Sequence, residues 1–444
     1  VLIVLLAGCG ARTGLEVPPP IDAARPDRVD ASRPDSVDAS RPDDRDAGHR
    51  DAGRDASVDA GVPDFGARDA GRCSEEICNR LDDDCDGEVD DGVCTTRATR
   101  IGVGGGMARG ETACVTTTDA RVVCWGSNVT GAVDPARPGG LIPLPRFVEG
   151  VSGALDIGVG GYVLCARTAE GATCWGRHVT GARAPSPSTP IAIPAMASAT
   201  SLAVASSAYC GLVGGGVVCS SNSPGGLYHP HPTYWSVTGI TDPVGVSMSP
   251  HNAFVLQADG TIVGWGLNYE GELGNGTSAV ASDVPIAVVG VDDAIKVCTD
   301  GRSACAIRAG GRLSCWGVWP GDGTASTTTL PVDAAIDEVV DVSCGNGHRC
   351  AIRRDGSLWC WGWNQEGQLA DGTVERRLRP VRVPLDNVVE VAAGYSLTCA
   401  LLADGTVWCW GNQCSGAIGD GSGGTIFAPG CDAEPRGPTQ VLLP

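Results

Sequence analysis

Residues 350–362 read Cys-Ala-Ile-Arg-Arg-Asp-Gly-Ser-Leu-Trp-Cys-Trp-Gly, and this order of cysteine, Asp-Gly, cysteine and Trp-Gly returns down the chain. It recurs at 114–126, 165–176, 305–317 and 399–411, and in altered form at 210–219 and 254–266. A unit of this size cannot bury both of its apolar faces alone. Seven copies must therefore stack on one another, as in a propeller or a solenoid.

Inside each copy two short apolar runs flank a turn. Asp259-Gly260, Asp355-Gly356 and Asp404-Gly405 carry the strongest short-range hairpin signal, with Glu170-Gly171 and Gly310-Gly311 as variants. A three-residue loop with a left-handed glycine sets cysteines 10 apart directly opposite each other, and an even-numbered loop does so at a spacing of 9. Opposed residues on antiparallel strands lie within disulfide reach. The expected bridges are Cys114 to Cys124, Cys165 to Cys174, Cys210 to Cys219, Cys305 to Cys315, Cys350 to Cys360 and Cys399 to Cys409. Where Phe254 replaces the first cysteine, Gly264 replaces the second, so both partners are lost together. Each short closed loop contributes about 2–3 kcal/mol. Trp125, Trp175, Trp265, Trp316, Trp361 and Trp410 recur at one position, which marks core packing rather than a binding stripe.

After Trp-Gly comes a glycine-rich turn, as in Trp265-Gly266-Leu267-Asn268-Tyr269-Glu270-Gly271-Glu272-Leu273 and Trp361-Gly362-Trp363-Asn364-Gln365-Glu366-Gly367-Gln368-Leu369. Residues 100–444 resemble in this the regulator of chromosome condensation repeat family. The resemblance implies a seven-bladed all-β propeller, taken here as residues 98–444. The copy ending Cys219-Ser220-Ser221 departs from the pattern and leaves the packing of its blade open. A proline-led strand precedes the later repeats but not the first. The C-terminal run Pro438-Thr439-Gln440-Val441 is accordingly expected to complete the first blade and close the ring. Cys414 and Cys431 are expected to close the last long loop, and Cys298 and Cys344 to bridge consecutive blades.

Upstream of the repeats, residues 1–8 form an apolar run too short to span a bilayer, of signal-peptide character. Leu6-Ala7-Gly8-Cys9 resembles the lipobox of bacterial lipoproteins, which implies acylation of Cys9; the alternative is an ordinary signal peptide with a stray cysteine. Of 21 cysteines, 20 remain without Cys9, an even number suited to an oxidising compartment. Residues 9–72 cycle through Asp, Ala, Arg and Pro with almost no large apolar side chain, the composition of a disordered tether.

Residues 73–94 form a Cys- and Asp-rich island. Asp82, Asp84 and Asp86, followed by Gly87, reproduce the first half of an EF-hand loop, but Val93 stands where its closing Glu belongs. Asp90 then substitutes, with Glu88 offering its backbone carbonyl. The stretch also resembles a metal-binding motif of bacterial surface proteins. Hard carboxylates favour calcium, while the other reading is a knot of Cys73, Cys78, Cys85 and Cys94 with solvated acids.

A net charge of −20 excludes nucleic acid and anionic membrane surfaces as partners and leaves the lipid anchor as the membrane contact. Lys296 is the only lysine, read as a matter of codon usage. Gly102, Gly104, Gly105 and Gly106 lack the crossover helix of a nucleotide loop and are assigned to tight blade turns. No HExxH, GxSxG or Walker pattern occurs. Three function classes remain. One is a cell-envelope, lipid-anchored, extracytoplasmic and monomeric module recognising a protein or glycan. The second is an enzyme with its site at the propeller centre. The third, by family analogy, is a guanine-nucleotide exchange factor, which conflicts with an extracytoplasmic address. The recognition reading places its aromatic anchors Tyr228, Tyr234 and Trp235 on a repeat-breaking loop.

Overall fold

The structure is a computed structural model and describes residues 94–106, 110–134, 138–176, 189–220, 234–278, 281–414, 416–422 and 437–444. Cys9, the 9–72 linker, Asp82, Asp84, Asp86, Glu88, Asp90, Tyr228 and Cys431 lie outside the described residues.

The described residues between 98 and 440 form 28 strands in seven four-stranded antiparallel sheets, each contiguous in sequence. These are blades 1 to 7 in chain order. Their first strands are Ala98–Gly106, Asp156–Val159, Ser201–Ala205, Pro243–Met248, Ala294–Thr299, Val339–Cys344 and Val388–Ala393. Each touches the first strand of the next blade, and that of blade 7 touches that of blade 1, so these strands ring a central channel. Second strands such as Ser303–Arg308 are buried on both faces between neighbouring blades, which is why they read as apolar runs without alternation.

Turn chemistry sets the register. Arg353 N–H donates to the Ser357 carbonyl, Gly356 takes φ +79°, and the Asp355 carboxylate accepts the Ser357 N–H at 3.0 Å. The five residues from Arg353 to Ser357 then leave Cys350 directly opposite Cys360, and those two are bonded. Five further disulfides join the same two positions in blades 1, 2, 3, 5 and 7. In blade 4, Phe254 fills the space over Gly264.

All six repeated tryptophans are buried. Four indole N–H groups donate to a carbonyl in the glycine-rich loop of the preceding blade: Trp175 to Ala132, Trp316 to Glu272, Trp410 to Gln368, and Trp125 to Ala417. The last of these joins blade 1 to blade 7.

Ring closure differs from the expectation. Thr439–Gln440 pairs with Val407–Gly411 as the outer strand of blade 7, and blade 1 is already complete with Leu141–Phe147. A proline-led strand is the outer strand of the blade before it, and the one belonging to the blade before blade 1 in the ring is Thr439–Gln440 of blade 7, at the other end of the repeats. Contacts between blades 1 and 7 close the ring instead, among them the Ala98 N–H donating to the Gly405 carbonyl at 3.0 Å. Glu111 of blade 1 is 2 % exposed, and its carboxylate accepts N–H groups of Ser396 and Leu397 and the Ser396 hydroxyl, each at 3.0 Å. Burial raises its pKa against the lowering effect of those hydrogen bonds.

Blade 3 resolves the departure at Ser220. Tyr209, directly across the pair, is fully buried, and its N–H donates to the Ser220 hydroxyl. The large ring has moved from one strand to the facing one. Elsewhere Trp125, Trp265 and Trp316 face alanine. Gly102, Gly104, Gly105 and Gly106 are also corrected: all four lie in the first strand of blade 1 rather than in a turn. A Cβ on Gly102 would stand 2.9 Å from the Ile157 carbonyl oxygen of blade 2, so glycine here permits close blade approach.

Candidate functional site at the channel and its mouth

One level of the ring carries equivalent residues from all seven blades. Arg100, Asp156, Ser201, Gly245, Lys296, Asp341 and Glu390 pair with Thr116, Arg167, Leu212, Leu256, Ile307, Ile352 and Leu401 on the second strands. Five of the seven are charged. Lys296 makes an ion pair with Asp341, and Arg100 approaches Glu390 at 3.9 Å. The sole lysine therefore occupies a specific electrostatic position, which a codon-usage reading misses. Burial pushes the Glu390 carboxyl up to about 7; Arg100 opposes the shift, and Asp341 and Asp156 add to it.

Further along the same strands the channel opens in a mouth cavity of about 140 Å³, to which each blade gives one segment. Its polar groups come from Ser206, Ser249, Thr299, Asp300, Asn346 and Tyr395. The Ser249 and Thr299 hydroxyls are used internally, donating to the carbonyls of Asn252 and Ser303.

Blades 5 and 6 are joined at this mouth along one stripe. Lys296, Cys298 and Asp300 alternate, so they share one face of an extended segment. All three bond to blade 6: Lys296 to Asp341, Cys298 to Cys344, and Asp300 to Arg349 at 2.8 Å. Among the described residues the other six disulfides with both partners given lie within single hairpins, so Cys298–Cys344 is the cross-blade one. Arg349 and Asp300 are wholly buried. Asp300 also accepts the N–H groups of Arg302 and Ser303, which balances the desolvation of its charge.

An aromatic pair sits over this seam. The Trp319 and Trp363 rings stack at 6.0 Å between centroids with an interplanar angle of 7°, and the Arg376 guanidinium lies 4.5 Å over Trp319. Trp363 is 37 % exposed. Trp319 stands where blades 1, 4 and 6 have Asn128, Asn268 and Asn364. Those asparagines are buried, and each accepts the backbone N–H of Val133, Leu273 or Leu369 to brace its loop. Trp319 forgoes that brace and takes φ +50°, a left-handed conformation costly for a bulky side chain. Arg349 holds its carbonyl at 3.2 Å.

His348 is buried beside this region, its Nε2 2.9 Å from the Thr398 hydroxyl of blade 7. Burial, with help from Arg349, pushes its pKa down to about 3, so it is a neutral brace. Among the described residues no three His, Cys, Asp or Glu side chains converge to hold a metal ion.

Two of the aromatics expected on a loop are placed elsewhere. Tyr234 and Trp235 belong to Tyr234–Val237, the outer strand of blade 3, where they pair with Ser220 and Cys219. Both are half-buried, and the Tyr234 hydroxyl lies 3.0 Å from that of Tyr209. They are strand residues packed on the blade core because the run Tyr-Trp-Ser-Val supplies the missing fourth strand. Cys414 is also disulfide-bonded.

The regulator of chromosome condensation (RCC1) repeat matches residues 355–401, and a second profile of that repeat matches 339–368 and 388–417. No curated protein matches the sequence. The fold is similar to the crystal structure of human WBSCR16, with 18% identity, TM-score 0.62, and coverage of 73% of this chain and 94% of that one. A chain in the crystal structure of Kap60 bound to yeast RCC1 (Prp20) gives TM-score 0.60 at 18% identity, covering 73% of this chain and 84% of its own. Prp20p from Saccharomyces cerevisiae, in a structure described with its binding properties to Gsp1p and histones, gives 0.59 at 18%, covering 73% and 86%.

Proposed function

We propose that this chain, whose residues 339–417 carry RCC1 repeats on a seven-bladed propeller, is an extracytoplasmic recognition module that binds its ligand at the channel mouth over blades 5 and 6. The observation that carries this reading is Trp319, a half-buried indole held at positive φ where three other blades place a buried, loop-bracing asparagine. Strain maintained by buried supports, here Arg349 and Asp300, points toward function. Propellers of this fold engage proteins: the similar structures are described with Kap60, Gsp1p and histones. Fold alone does not transfer a partner, so the ligand class remains protein or glycan.

Seven disulfides with both partners described fit an oxidising environment. Acylation at Cys9 would anchor the chain to the cell envelope through the 9–72 linker, with the propeller held clear of the membrane. Affinity capture from a cell-envelope extract, with the full chain as bait, tests the reading. A ligand enriched by wild type and lost with Trp363→Ala supports it; equal recovery by both refutes it. Metabolic labelling with a fatty-acid analogue tests the anchor, with Cys9→Ser losing the label.

A further inference from the structure

The mouth offers a particular chemistry to whatever docks there. Among the described residues Ser206, Asn346 and Tyr395 line the cavity, and together they carry two hydroxyls and an amide. All three are neutral. The one carboxylate among the described lining residues, Asp300, is consumed by Arg349 and the Ser303 hydroxyl. Among the described lining residues, then, none selects a formal charge on the ligand.

Beside these groups stand the stacked Trp319 and Trp363 rings, with the exposed Arg376 guanidinium over Trp319 and Trp363 37 % exposed. The Trp363 backbone N–H donates to the Gly347 carbonyl at 2.8 Å, and Gly347 follows Asn346 directly. A Cβ on Gly347 would stand 3.5 Å from the Trp363 Cβ, so the base of the Trp363 side chain lies beside the residue that follows the cavity-lining Asn346. Trp319 is fixed from beneath through Arg349 to Asp300, itself a cavity residue. The blade 5 and 6 seam is locked by an ion pair, a disulfide and a buried ion pair at alternating positions, so the two rings are presented on a rigid base.

We propose that this mouth binds a neutral oligosaccharide, one sugar ring lying flat on the exposed Trp363 indole and the hydroxyls of its neighbour meeting Asn346, Tyr395 and Ser206. The proposal rests on the recognition reading above and names the ligand class for that site. A sugar ring has an apolar face of C–H groups and a rim of hydroxyls, and it carries no charge. Those properties match a stacked indole beside uncharged donors and acceptors. From the cavity the chain of sugars would continue outward across Trp363 toward Trp319. A basic peptide would need an unpaired carboxylate at the mouth, and the described residues offer none there.

Titration of the full chain with maltohexaose, cellohexaose and chitohexaose, followed by calorimetry and tryptophan fluorescence, tests it. At least one hexasaccharide is expected to bind and to change the emission. Trp363→Ala should weaken that binding about tenfold or more, a loss in keeping with an aromatic stacking contact. Trp363→Phe should retain most of it, and Asn346→Ala should weaken it with the emission of the free protein unchanged. Near-ultraviolet circular dichroism of each variant checks the fold. Failure of all three sugars to bind wild type overturns the proposal, as does equal binding by wild type and Trp363→Ala. Capture of an envelope protein that depends on Trp363, with no sugar bound, also overturns it while leaving the recognition reading in place.

Discussion

Arg349 of blade 6 and Asp300 of blade 5 form a 2.8 Å ion pair from which solvent is wholly excluded. Arg349 occupies the strand position across from Trp361, where blades 1, 4 and 5 have alanine. The pair ties the seam together and carries the Trp319 backbone. Removing one partner leaves the other charged and buried. Arg349→Met is therefore expected to lower stability by about 3–5 kcal/mol in denaturant unfolding. The double variant Arg349→Met with Asp300→Leu should recover part of that loss. A single variant as stable as wild type would show that the pair is not holding the seam.

Glu390 faces Arg100, Asp341, Asp156 and Lys296 at its level of the ring, and its folded pKa of about 7 lies above the ordinary 4.5. The native state holds this proton more tightly than the unfolded chain does. Its contribution is thus complete below about pH 4.5 and is lost as pH rises through 7. Glu390→Gln should exceed wild type in stability at pH 8, by on the order of 2 kcal/mol, with the gap closing toward pH 4.5. Thermal unfolding across that range reads the difference, and a constant gap would contradict the assignment.

Blade 3 predicts a compensating pair. Tyr209→Ala empties the ring site across from Ser220 and should cost about 3 kcal/mol. Ser220→Trp alone adds a second ring to a filled site and should also destabilise. Together the two changes rebuild the Trp-over-alanine arrangement of blades 1, 4 and 5, so the double variant should be more stable than the sum of the single effects. Simple additivity would count against the exchange of sides.

Hairpin register, the repeated tryptophans and the blade count were legible in the sequence because each depends on contacts within about 10 residues. Of the cross-blade relationships only the Cys298–Cys344 bridge was legible, from the neighbouring positions of the two cysteines on the entry strands of consecutive blades. Alternation places Lys296 and Asp300 on the same face as Cys298, but it does not say that Asp341 and Arg349, more than 40 residues on, stand opposite them. Lys296 was visible as the only lysine, and that singularity was the available signal. Trp319 was readable only as a failure of the asparagine position after Trp-Gly. Tyr234 and Trp235 were misplaced because the segment before them breaks the repeat, which hides the strand that resumes it.

The island at 73–94 predicts calcium binding through Asp82, Asp84, Asp86 and Asp90. Calorimetry on the oxidised full chain should show calcium heat that is lost in Asp84→Ala. No heat at millimolar calcium would leave the disulfide-knot reading.

Hydrogen–deuterium exchange of the full chain, with and without the ligand captured from the envelope, tests the recognition face most directly. Protection is predicted at residues 299–303, 318–320, 344–348 and 363–365, the segments around the mouth of blades 5 and 6. Protection confined to the hairpin turns at 355–356 and 404–405, at the other ends of the blades, would contradict it.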